Sequence, residues 1–311
     1  MVRKTAAPTV RKTAAGRRGW REAGARAGMV VPAVVIYVGL LVVPVGYAFY
    51  YSLTDYNGFP TQAPEFIGLE NYRDVFSSQD ITGAMVVTGI VALAGAAIVN
   101  VAALGLALLL RQTNRFNTFG RVVMFYPHVL SALVVGFLWQ AMLGPQGVVN
   151  TMMEKVGASS LPFLSNETWA LWTMILVIAW SLFGVQLVLY LAGLQTISAD
   201  LVEAARIDGA GRWQVFRAVT WPALAPTVTV AIITSGISLL KTYDVVVSLT
   251  GGGPAGSTKT LAYSILAVSF PERKIGLASA QAVVLVVAAA VLAFTVLALR
   301  RRAEEGAESV G

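Results

Sequence analysis

Cysteine is absent from this 311-residue sequence, histidine occurs once, and only 13% of the residues are charged. Without cysteine there is no disulfide frame, no thiolate metal site and no thiol redox chemistry. The one histidine, His128, leaves no nitrogen-rich ligand set for zinc, so a packed or hydrogen-bonded structural role is expected of it. No clustered pair of acids falls within an apolar block, which leaves a membrane enzyme without an acid–base or metal constellation. None of the six lysines follows a glycine, so the phosphate loop of a nucleotide hydrolase is missing and no ATPase site of the chain's own is expected. The net charge of +7 does not come from a basic patch interleaved with aromatics, and nucleic acid is not an expected partner.

What the chain has in excess is apolar sequence, 56% of its residues. That is more than a soluble domain of this size can cover with polar surface. The apolar residues come in uncharged blocks, 29–54, 81–110, 122–153, 168–199, 218–240 and 275–299. Crossing the hydrocarbon takes about 20 helical residues, so each block is long enough, and an all-α polytopic membrane protein of six helices is predicted. Lys and Arg fall 17 on one side of these spans and 5 on the other, with Lys241 inside a span. The positive-inside rule then places both termini in the cytoplasm. Residues 1–28 read as a disordered basic tail held near anionic membrane lipid, with a targeting peptide as the alternative. Residues 29–300 read as one transmembrane domain and 301–311 as a second cytoplasmic tail.

Local signals fill in the spans. Pro32 and Pro44 predict kinking in the first. The segment Leu69–Phe76 reads as a short interfacial helix with Tyr72 and Phe76 on one face. The second span, rich in Gly and Ala including Gly89, Gly95 and Gly105, reads as a packing helix. The third opens with Tyr126-Pro127-His128 and closes at Trp139 and Gly144-Pro145. Arg300 to Arg302 are expected to stop the sixth at the inner surface.

The most informative stretch joins spans four and five and runs from Ser198 to Pro222. Ser198 or Asp200 can cap a short helix, with Asp200 and Glu203 spaced as in a capping box, and Gly209 can take the left-handed conformation that ends it. A second short helix is predicted from about Arg212 toward Pro222. Ala204 and Ala205 leave a face without bulk, and Glu203, Arg206 and Asp208 offer charges, which together describe a docking element.

This loop resembles the signature of permeases from binding-protein-dependent ATP-binding-cassette (ABC) importers: Glu-Ala-Ala at Glu203, Ala204 and Ala205, then Gly209, Val219 and Pro222 at the family's distances. Trp221 stands where the family usually has Leu. The resemblance runs from about residue 30 to 300 and implies the type I importer permease fold, with the loop as a coupling helix seated on a separate ATPase. Its coupling residues would be Glu203, Ala204, Ala205, Asp208, Gly209, Ala210 and Pro222. Gly68 to Phe76, Tyr126-Pro127 with Trp139, Gly147 to Asn150, and Leu249 to Pro254 followed by Ser257-Thr258 look like the carbohydrate branch of that family. The implied partners are an ABC ATPase dimer that binds the ATP, a second permease subunit in a heterodimer, and an extracellular solute-binding protein. The implied location is the bacterial plasma membrane. The chain itself needs no cofactor, and its solute would be a sugar or sugar-like compound, with a non-sugar solute as the alternative.

For the substrate path, the resemblance points to Gln186, Tyr190, Lys241, Thr242 and Asp244. Other readings of these residues stay open. Lys241 and Asp244 lie three apart and could form a pair whose lysine snorkels to water, while Gln186 and Tyr190 could make interhelical hydrogen bonds. A secondary transporter would need intramembrane carboxylates for a coupling ion, and Asp244 is the one acid near a span core. An adaptor is the remaining alternative.

Overall fold

The computed structural model describes residues 28, 30–59, 61–112 and 114–308. The basic tail expected over 1–28 therefore lies outside the described residues apart from Gly28. The chain divides into two compact units, Met1–Tyr50 and Tyr51–Gly311. Six helices are long and apolar enough to cross a membrane, and the polytopic all-α architecture read from the sequence is the observed one.

The first unit contributes helix α1 (Val30–Tyr51, whose last residue belongs to the second unit). A π-turn occupies Val38–Val42 and is closed by the Val43 N–H donating to the Val38 carbonyl. Pro44 follows immediately. Proline has no N–H and its ring collides with the carbonyl four residues back. A wide turn just ahead of it shifts that carbonyl out of the way.

The second unit is built around α3 (Gln79–Leu109) and α7 (Glu167–Gln195). More than half of the most apolar stretch of α7 is buried, against 6% of the same stretch in the last helix, α12 (Ile275–Glu308). A core of Val91, Met174, Ile175, Ile178, Leu239 and Val246 joins α3 and α7 to α9 (Arg212–Leu240) and the short α10 (Asp244–Leu249). Gly95 makes the approach of α3 to α9 possible, since a Cβ there would lie 2.8 Å from Leu239 Cδ2. Gly89 and Gly105 face open space instead, so one glycine of the three does the packing expected of them.

The third span differs from its reading as one helix. It is broken into α4 (Arg115–Val129) and α5 (Ala132–Leu143), with α6 (Val148–Lys155) following the Gly144-Pro145 turn. Pro127 removes one rung of the ladder near the end of α4, and Leu130 and Ser131 go extended. The break lets the halves pack on different neighbours. On α7, Gly184 lies so close to α4 that a Cβ would sit 2.6 Å from Phe125 Cα, while Gly136 of α5 is pressed against Ser248 of α10.

One further reading is corrected and two gain detail. The short helix expected over Leu69–Phe76 is α2 (Glu70–Ser77), with Tyr72 and Phe76 four residues apart on one face; its buried residues are Asn71 and Val75, and Asn71 donates to the carbonyls of Ser52 and Thr54. The second short helix expected after Gly211 is the first part of α9: a π-turn at Phe216–Thr220, closed by Trp221 N–H on the Phe216 carbonyl, carries the helix past Pro222. It is the device already seen before Pro44. Finally, the apolar span of α12 closes at Arg302, in the run expected to stop it, while the helix itself continues to Glu308, since arginine favours helix.

The segment from Lys241 to Lys274, which holds α10 and α11 (Leu261–Ser269), folds back onto the bundle. Leu261 N–H donates to Thr88 Oγ1 at 2.7 Å. Three of its four cations, Lys259, Arg273 and Lys274, oppose the charge bias, and each of these three has a partner. Lys259 meets Asp80 at 2.5 Å, Lys274 meets Glu272 at 3.1 Å, and the Arg273 guanidinium lies 4.5 Å from the Phe59 ring centroid.

Candidate functional site: the capped loop between α7 and α9

Helix α8 (Ala199–Ile207) begins at Ser198, whose hydroxyl accepts from Asp200 N–H at 3.2 Å. Ser198 is thus the cap, and the Asp200–Glu203 box does not form. The helix ends in a closed motif. Gly209 N–H donates to the Arg206 carbonyl and Ala210 N–H to the Ala205 carbonyl, both at 3.0 Å, with Gly209 at φ +82°. That paired arrangement requires a left-handed residue at Gly209. Gly211 N–H then donates to Gln214 Oε1 at 2.7 Å and starts α9. The loop is a rigid, doubly capped elbow.

No residue of α8 is buried. Glu203, Ala204, Asp208 and Gly209 are exposed, Ala205 and Ala210 half-buried, and Pro222 exposed at the base of α9. The sequence reading missed the loop's apolar surface: Leu201 is 59%, Ile207 84% and Trp213 70% exposed. Three large apolar side chains held outward by a rigid turn form a surface that a partner protein can cover. The signal was present as Leu201, Ile207 and Trp213 lying on either side of the charged positions. Behind α8, a cavity of about 430 Å³ separates it from the ends of α3, α7 and α9 and takes in Glu203, Arg206, Arg111 and Thr220. Glu203 forms no ion pair among the described residues, so its carboxylate is available to a partner.

The structure divides the five path candidates. Gln186 and Tyr190 are 3% and 1% exposed and hydrogen-bond to other helices of the same subunit. Tyr190 Oη donates to Asn100 Oδ1 at 2.8 Å, and Asn100 Nδ2 donates to Ser235 Oγ at 2.8 Å and to the Ala96 carbonyl. Gln186 Nε2 lies 3.5 Å from Thr234 Oγ1. Burying polar groups in an apolar bundle demands partners, and the interhelical alternative is the one observed. Lys241 and Asp244 are exposed, but α9 ends at Leu240 and α10 starts at Asp244. They flank a break, and no ion pair joins them among the described residues. Thr242, half-buried between them, accepts from Thr260 Oγ1 at 2.8 Å.

His128 stands beside the break in the third span. Its Nδ1 lies 3.2 Å from the Ser181 carbonyl oxygen, and because a carbonyl can only accept, Nδ1 carries the proton. The hydrogen-bonded role expected for it is present, yet the ring and Ser131 remain exposed on the surface of this subunit.

A bundle of six candidate spans with a capped, outward-facing loop between its fourth and fifth defines a multi-pass membrane protein. A family profile described as "binding-protein-dependent transport system inner membrane component" matches residues 100–304, and the chain belongs to that family. It is similar to a probable starch degradation products transport system permease protein, AmyD, of Thermoanaerobacterium thermosulfurigenes, 29% identical over 276 residues, 88% of this chain and 93% of that one. It is also similar to the sulfoquinovosyl glycerol transport system permease protein SmoG of Agrobacterium fabrum, 33% identical over 264 residues, 83% of this chain and 84% of that one. Among solved structures, a bacterial ABC transporter that imports alginate superposes with a TM-score of 0.78 over 92% of this chain and 99% of its own, at 22% identity, and shares the fold.

Proposed function

We propose that the chain is a permease subunit of an ATP-binding-cassette importer that passes a sugar or sugar-like solute, with a separate ATPase dimer seated on the Glu203–Pro222 loop. The observation that carries this reading is α8, capped at both ends and unburied, with Ile207 and Trp213 exposed beside the unpaired Glu203. A rigid lever of that kind transmits motion from a partner to α7 and α9, which bracket it. Glu203, Ala204, Ala205, Asp208, Gly209, Ala210 and Pro222 are its coupling residues. ATP is bound by the partner and this chain needs no cofactor. The carbohydrate relatives support the sugar assignment.

The break at Leu130–Ser131 supports a path along α4 and α5. Irregular backbone at membrane depth is tolerated where it is covered by protein or lines water, and here His128 and Ser131 are exposed on this subunit. A second, non-identical permease subunit facing them would enclose an aqueous route, with Lys241, Thr242 and Asp244 at its outer end, where an extracellular binding protein delivers solute. Lys and Arg bias 17 to 5 orients α8 and both termini to the cytoplasm.

Two measurements test this. In cells deleted for the chain, uptake of one radiolabelled di- or oligosaccharide should be lost and restored by the gene; loss confined to a solute without a sugar unit would remove the sugar assignment. With no native cysteine, Ala210→Cys should resist an impermeant thiol reagent applied outside intact cells and react after permeabilisation. Labelling from outside would reverse the orientation.

A further inference from the structure

An apolar slot runs along the outside of the bundle between α3, α9 and α12. Its deeper part, about 490 Å³, is walled by Ala96, Ala97 and Val228. It continues into a second chamber of about 760 Å³ past Pro226 to Arg300, with Trp221, Val228, Ile232 and Val296 common to both. Towards its inner end Gly236 lies against Leu292, a Cβ on Gly236 coming to 3.0 Å from Leu292 Cδ2. The other end opens at the start of the Arg300 to Arg302 run. From Gly236 to Pro222 the helix rises about 21 Å. Nothing charged lines the slot above Arg300.

We propose that this slot is a binding site for one anionic phospholipid, an acyl chain lying between α3, α9 and α12 and the phosphate resting against Arg300. Three features select that ligand. A largely apolar groove about 21 Å long fits a single extended hydrocarbon chain. Its outer end carries the arginine run that ends the apolar part of α12, a cation cluster of the kind that draws anionic headgroups at a membrane surface. Trp221, exposed and lining both chambers, is the amphipathic ring type that favours the interface between hydrocarbon and headgroups. Because Trp221 follows the π-turn that joins the docking loop to α9, lipid seated there braces the helix that the lever moves. The choice of the cytoplasmic leaflet rests on the orientation proposed above; the slot and its ligand class do not.

The assembled complex, permease pair with ATPases, is reconstituted in nanodiscs containing phosphatidylglycerol brominated on its acyl chains. The quenching lost in a Trp221→Phe variant isolates the signal of Trp221. That signal should be quenched more by brominated phosphatidylglycerol than by brominated phosphatidylcholine, several-fold in apparent affinity. Val228→Phe, which fills the slot, should abolish the preferential quenching while the complex stays assembled, and Arg300→Gln should remove the preference for the anionic lipid. No quenching of Trp221 by either lipid would mean that a protein helix covers the slot, and equal quenching by both would mean only annular contact; either result overturns the proposal. A reversed orientation would show separately, in the Ala210→Cys labelling, without altering the quenching.

Discussion

Tyr190 on α7 donates a hydrogen bond to Asn100 on α3 at 2.8 Å, and through Asn100 it reaches Ser235 on α9. Three spans are thereby pinned at one depth, just above the loop that joins two of them. Interhelical hydrogen bonds in bilayers average about 0.6 kcal/mol and reach about 1.7. Tyr190→Phe should therefore lower stability by about that much. Asn100→Ala, which strands partners on two helices, should cost about twice as much. Denaturation in mixed micelles measures both, and an Asn100→Ala variant as stable as wild type would dismiss the clamp.

A second prediction concerns the broken third span. Gly184 touches backbone of α4, with an added Cβ 2.6 Å from Phe125 Cα and 2.8 Å from the Met124 carbonyl oxygen. Backbone cannot rotate aside as a side-chain tip can. Gly184→Leu should overpack the interface by about 1–3 kcal/mol or more, lowering the thermal midpoint and the yield of folded protein. Gly89→Leu, which enters open space, should be near neutral by the same assay.

The exposed pair at the end of α9 gives a third. If Lys241 and Asp244 line the outer path, Lys241→Ala and Asp244→Ala should each reduce transport several-fold while the complex assembles with normal subunit content. Initial uptake rates against solute concentration decide the matter. Unchanged kinetics in both variants would leave Lys241 as a snorkelling residue with no part in transport.

Six spans and the capped loop could be read from the sequence because both depend on local pattern: blocks of about 20 apolar residues, and a serine and a glycine at the two ends of a short helix. Where helices face one another is a matter of tertiary contact, and there the reading was weaker. Gln186 and Tyr190 look like polar wall in one dimension, and only the position of Asn100 and Thr234 on other helices shows them to be internal. The break at Leu130–Ser131 had a local cause in Pro127, but its location follows from α4 and α5 each seeking a separate glycine contact. The π-turns before Pro44 and Pro222 belong to the same class: the proline is visible, while the choice between kinking and widening the helix is made by its neighbours.

The central claim is that the α8 elbow couples ATP hydrolysis to the membrane helices. Glu203→Ala removes one carboxylate from a docking surface. Gly209→Val forces a β-branched residue to φ +82°, where it is strongly disfavoured, and should rebuild the elbow although the space around Gly209 is open. The direct measurement is ATPase co-purification together with binding-protein-stimulated ATP hydrolysis in reconstituted membranes. Both variants should insert and fold, and stimulated hydrolysis should fall at least tenfold in Gly209→Val and less in Glu203→Ala. Wild-type subunit content and wild-type stimulation in both would contradict the assignment of this loop as the coupling element.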